Sequence, residues 1–155
     1  MILFITNTMT YKGKYKVKKP SKYEGDWKNV IYRSSWERQF FRWCEDNDSV
    51  VRWSSETVVI PYRCKTDNRV HRYFMDVKVK FKDGRTVLFE IKPEIQTQPP
   101  KKPKRNSKKY LREVMTYVKN ISKWEAAEKY CKDRNWEFVI ATEKTFKSMG
   151  IRLII

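Results

Sequence analysis

The chain has 155 residues, 35 of them Lys or Arg against 18 Asp or Glu, giving a formal charge of +17 at pH 7. That length supports one hydrophobic core without staples, and 40% hydrophobic with 15% aromatic residues is too rich for a wholly disordered chain. A charged fraction of 34% leaves no apolar run near the roughly 18 residues of a membrane span, so no membrane partner is expected.

The opening Met1–Ile5 is apolar but short, with no basic region before it and no small-residue cleavage site, and does not read as a signal peptide. Tyr11 to Lys22 then carries six lysines and no acid, and Gln96 to Lys109 carries six more cations, again without an acid. Outside these two stretches the chain holds only about +5. Both are rich in Lys, Pro and Ser and read as loops or arms that bury nothing. The organisation expected is a basic N-terminal arm over 1–30 and a folded body over 31–155, with a basic loop at 96–109. Lys12, Lys14, Lys16, Lys18, Lys19, Lys101, Lys102, Lys104, Arg105, Lys108 and Lys109 are candidate phosphate contacts, each releasing a counterion on binding. Tyr11 and Tyr15, interleaved with lysines, suit base stacking or pinning of the arm.

Ser34 or Ser35 caps a helix predicted to run to about Asp46, with Trp36, Phe40, Phe41 and Trp43 near helical spacing. Glu56 to Tyr62 predicts a strand, and Arg69 to Phe81 alternates apolar and polar residues as a second. Asp83-Gly84 turns the chain into a third strand, Thr86 to Lys92. Helical spacing resumes from Tyr110 to Ile121 and again from Lys123 to Asp133. A strand from Glu137 to Thr142 and a short helix from Glu143, ended by Gly150, complete the order. This is a single α/β domain with a mixed β-sheet and flanking helices.

Absences narrow the chemistry. Four glycines, at 13, 25, 84 and 150, form no phosphate-cradling loop. One histidine, His71, excludes zinc and nuclease motifs that need several imidazoles, and reads as an ordinary strand residue. Cys44, Cys64 and Cys131 make no CxxC pair, which points to a reducing compartment rather than a disulfide or zinc framework. Carboxylates and lysine remain. A hairpin turning near Asp83 sets Asp76 opposite Glu90, and cross-strand partners lie ~4.5–5.5 Å apart. Lys92 follows on the face of Glu90, ~6.5–7 Å along. Two acids close enough to share Mg²⁺, with a lysine beside them, suit phosphodiester hydrolysis. The competing reading is a cross-strand salt bridge on a solvated face.

An acid on an early helix, then Asp, then ExK on the next strand resembles the PD-(D/E)xK, restriction-endonuclease-like superfamily. Here these are Glu37 in Tyr32-Arg-Ser-Ser-Trp-Glu37, Asp76 in Tyr73-Phe-Met-Asp76, and Glu90-Ile-Lys92. The first element is similar to transposase-associated endonuclease subunits. More narrowly, Lys19–Tyr23, Glu90–Pro93 with Gln96 and Pro99-Pro100, Asn120–Trp124 and Trp136–Glu143 resemble the head completion nuclease family of T-even-type tailed bacteriophages. The usual proline before the aspartate is Met75 here. The resemblance implies Asp76 and Glu90 as ligands of Mg²⁺ or Mn²⁺, the Ile91 backbone carbonyl as a third, and Glu37 as an outer or second-metal ligand. It makes Lys92 the catalytic lysine, Lys123 a contributor to the site, and Arg33 and Gln96 phosphate contacts. It implies a Mg-dependent endonuclease acting on double-stranded DNA without sequence specificity in phage head completion and DNA packaging. Capsid or portal proteins are further partners, and the host cytoplasm during assembly, then the virion, is the location. The alternatives are a catalytically vestigial, structural DNA-binding completion protein, and a basic domain docked on an acidic protein surface.

Overall fold

The computed structural model describes residues 12–153, and the apolar opening Met1–Ile5 and Tyr11 lie outside them. Near the start, β1 (Gly13–Tyr15) pairs antiparallel with β2 (Val30–Tyr32). Composition predicts that this lysine-rich stretch buries nothing, and the structure corrects that. Alternation sends Tyr15 and Val17 inward while Lys12, Lys14, Lys16 and Lys18 face water. Tyr23 then packs edge-on against Trp53, ring centroids 4.8 Å apart. Burying such side chains contributes about 1.5–3 kcal/mol each, enough to hold the segment down despite its charge.

Helix α1 (Ser35–Asp46) begins as expected at a serine cap, the Ser34 Oγ accepting the Glu37 N–H at 3.1 Å. Its buried face is Trp36, Phe40, Phe41 and Cys44. Strand β3 (Val50–Ser55) was not legible, because a bulge between Val50 and Arg52 breaks its alternation. The strand predicted from Glu56 begins later, as β4 (Val59–Arg63), since Glu56 turns the chain at φ 58°.

The run Arg69–Phe81 is two strands rather than one. β5 (Val70–Phe74) pairs only with β4, whereas β6 (Val77–Phe81) lies in the main sheet beside β3 and β7 (Thr86–Ile91). The switch falls at Met75, whose N–H donates to the Val58 carbonyl at 2.9 Å and whose carbonyl accepts the Glu56 N–H at 3.1 Å. The β6–β7 hairpin forms as predicted, its turn helped by Gly84 at φ 94°. Strand β8 (Glu137–Ala141) runs parallel to β7, giving the mixed order β3-β6-β7-β8.

The two predicted helices after the basic loop are one, α2 (Lys108–Asp133). Ser122, where a break looked natural, donates to the Val118 carbonyl at 3.0 Å and accepts the Lys65 N–H at 3.2 Å. Helix α3 (Glu143–Ser148) closes the fold, with Gly150 beyond it at φ 76°. One sheet face packs Val87, Phe89 and Ile91 with α1 and Phe146 of α3. On the other, Leu88 packs with Tyr73 of β5 and with Trp124 and Ala127 of α2. Every residue of β7 is therefore buried. The basic loop stays exposed from Lys101 to Lys109, as expected. All three cysteines are buried and free.

Candidate active site

Period-2 alternation along β7 puts Glu90 on the face of Leu88, toward α2 and β5. Glu90 is buried, and its Oε2 accepts the Tyr73 hydroxyl at 2.7 Å. Its Oε1 stands 3.6 Å from the Lys92 ammonium. Asp76 continues the register one pair beyond Val77 and Phe89, which sets it against Glu90 as the hairpin predicts. The Asp76 Oδ2 accepts the Ile91 N–H at 2.7 Å. The register thus sets two acids side by side, each held by its own hydrogen-bond donor, the Tyr73 hydroxyl for Glu90 and the Ile91 N–H for Asp76.

That arrangement disfavours a full complement of charge. Burial, then the Glu90 and Glu37 carboxylates, push Asp76 well above the usual carboxylate range, against the Ile91 N–H. Glu37, in the first turn of α1, is raised to about 7 by burial and then by Glu56, opposed by Arg33 and the Ser34 hydroxyl. Across the site, the Lys123 ammonium of α2 lies 5.3 Å over the Tyr73 ring. Burial lowers its pKa, and the neighbouring charges of Glu90, Lys119, Lys92 and Asp76 all act on it.

Asp76, Glu90 and Lys92 are thus brought together as the sequence predicts, with Glu37 within their electrostatic reach. Arg33 lies at the same edge, but its guanidinium is engaged by Glu56 at 2.6 and 3.2 Å. Lys19 is held by the α1 C-terminus, its Nζ donating to the Glu45 carbonyl at 3.0 Å. Among the described residues, Lys12, Lys14, Lys16, Lys18, Lys101, Lys102, Lys104, Arg105 and Lys108 make no ion pair with the chain's acids, and all are exposed. Gln96 is exposed as well. Sequence reasoning missed Tyr73 and Glu56. The alternation that set Tyr73 on a buried face was readable, but the left-handed backbone at Glu56 left no signal.

Hard oxygen donors suit Mg²⁺, and a divalent ion relieves repulsion between carboxylates held this close. Asp76 and Glu90 fit such an ion by the chemistry of their oxygens. Among the described residues no three His, Cys, Asp or Glu side chains are grouped to hold one ion. The carboxylates offered therefore number two, with Glu37 behind them. The Met75 N–H bond to Val58 accounts for the missing proline, which has no N–H to donate.

Residues 47–143 match the family described as TnsA-like endonuclease N terminal, a span that holds Asp76, Glu90 and Lys92 but begins after Glu37. The mixed sheet with flanking helices is the restriction-endonuclease-like fold of that family. The chain is also similar to the head completion nuclease of Enterobacteria phage T4, 40% identical over 148 residues, covering 93% of this chain and 99% of the relative.

Proposed function

The chain belongs to the head completion nuclease family, on a TnsA-like endonuclease domain, and from that membership we propose that it is a Mg²⁺- or Mn²⁺-dependent endonuclease cutting double-stranded DNA without reading its sequence. The observation that carries the reading is the cross-strand Asp76–Glu90 pair set by the β6–β7 register, with the Lys92 ammonium 3.6 Å from Glu90.

Asp76 and Glu90 would hold the cation, with the Ile91 carbonyl as a further ligand and Glu37 behind. When bound, that ion polarises the scissile phosphate and offsets the charge developing on it. Tyr73 fixes the orientation of Glu90 through its hydroxyl. Lys92 orients or deprotonates the attacking water and stabilises the anionic phosphate. Lys123, desolvated beside the same acids, adds positive charge there. The exposed lysine rows bind phosphates, which positions DNA but carries no sequence information. The work of the enzyme is head completion in the host cytoplasm, on packaged DNA and against capsid or portal proteins.

Nicking of a supercoiled plasmid tests the reading. Mg²⁺ or Mn²⁺ supports cleavage and chelator abolishes it; cleavage undiminished in chelator overturns the metal-dependent mechanism.

A further inference from the structure

A groove of about 850 Å³ lies between the basic loop and the N-terminal half of α2. Ile95, Pro99 and Pro100 form one wall, and Arg112, Thr116 and Tyr117 of α2 form the other. Buried Asn120 also lines it, three residues and about 4.5 Å along the helix axis before Lys123. Ile95 follows Lys92 by three residues. Two lining residues, Ile95 and Asn120, thus stand three positions along the chain from Lys92 and Lys123, which sets this end of the groove toward the proposed active site.

Its lining selects among anionic partners. Lys101, Lys109 and Arg112 supply positive charge, and Glu113, the acid among the lining residues, stands 4.0 Å from Lys109. Gln96, Gln98 and Asn120 add side-chain amides, which match the mixed donors and acceptors of base edges. Tyr117 adds an aromatic face. Cations that track a backbone beside an aromatic that stacks on bases are the chemistry of single-strand binding. Size agrees. Clefts of about 300–1,000 Å³ enclose a drug-sized molecule, so this one holds roughly two or three nucleotides of one strand and no duplex.

We propose that this groove binds single-stranded DNA leading away from the scissile phosphate, so that the preferred substrate is a duplex with a single-stranded tail or flap. The proposal rests on the nuclease reading and adds its substrate class.

Fluorescence anisotropy in chelator compares a blunt duplex with the same duplex carrying a single-stranded tail. The tailed DNA binds more tightly, and Tyr117→Ala removes that advantage, lowering affinity for the tail roughly 5- to 150-fold. Tyr117→Phe, which keeps the stacking face, retains it. Photocrosslinking of a halogenated-uridine tail to the parent protein gives an adduct on the Tyr117 peptide, a readout that needs no variant. Equal affinity for blunt and tailed DNA, or a crosslink elsewhere only, overturns the proposal and leaves the groove to a protein segment. Plasmid nicking separates the two readings. Nicking without tail preference defeats the groove alone, whereas tail preference without nicking defeats the nuclease reading.

Discussion

Helix α1 buries a carboxylate near each end, and the two have opposite surroundings. Glu45, 1% exposed, accepts the Tyr15 hydroxyl at 2.6 Å and the Lys18 and Lys19 N–H groups at 2.8 Å each. Glu37, 7% exposed, faces Glu56 and the Asp76–Glu90 pair, and its pKa rises to about 7. Both acids are buried, so burial does not separate them. What separates them is compensation: donors surround the first, and other acids face the second. The first locks the N-terminal segment to the body. The second stands behind the acid pair proposed to hold a cation, and perturbed groups of this kind are candidates for functional sites.

Removing the compensated acid has the largest structural effect. Glu45→Ala strands three donors, and chemical denaturation reads a loss of about 3 kcal/mol. A variant as stable as the parent breaks the comparison at its structural end.

The site acids respond in the other direction. Asp76→Asn removes a charge that repels Glu90 and Glu37, while its amide oxygen still accepts the Ile91 N–H. In chelator at pH 8 this variant is more stable than the parent while losing cleavage, which chemical denaturation and plasmid nicking read. Destabilisation at that pH would mean that the Asp76 charge is already compensated.

A subtler trend follows from the raised pKa values of Glu37 and Asp76. Each binds its proton more tightly folded than unfolded. The stability they contribute is complete below their ordinary values of 4.5 and 3.8, and is lost as pH rises through their raised folded values, about 7 for Glu37. Melting in chelator from pH 4 to 8 records that decline. Mg²⁺ competes with the same protons, so its stabilisation grows across the interval, reaching about 2.7 kcal/mol at a hundredfold excess over Kd. A Mg²⁺ shift independent of pH would place the ion elsewhere.

Much of this was legible because strong local signals agreed. Alternation on both sides of Asp83-Gly84 set the β6–β7 register, and with it the meeting of Asp76 and Glu90. Ser34 marked the start of α1, which carries Glu37. The rest depended on tertiary events that leave no periodicity. Alternation runs unbroken through Met75, yet there the chain leaves one sheet for another, because Val58 and Glu56 capture the Met75 backbone. Charge masked the alternation of Lys14, Tyr15, Lys16 and Val17, so a packed strand looked like an arm. The approach of Lys123 over Tyr73 joins α2 to β5 across the site, and no local pattern encodes it.

The central claim is that Asp76, Glu90 and Lys92 perform the chemistry while exposed cations elsewhere hold the DNA. Single-turnover cleavage at saturating DNA, paired with binding affinity in chelator, tests it most directly in Lys92→Ala. The account predicts a rate lower by roughly 10²–10⁴, the range of a positioned acid–base group, with affinity nearly unchanged because one of 35 cations is lost. Cleavage at the parental rate with weakened binding would contradict it, reducing Lys92 to a phosphate contact.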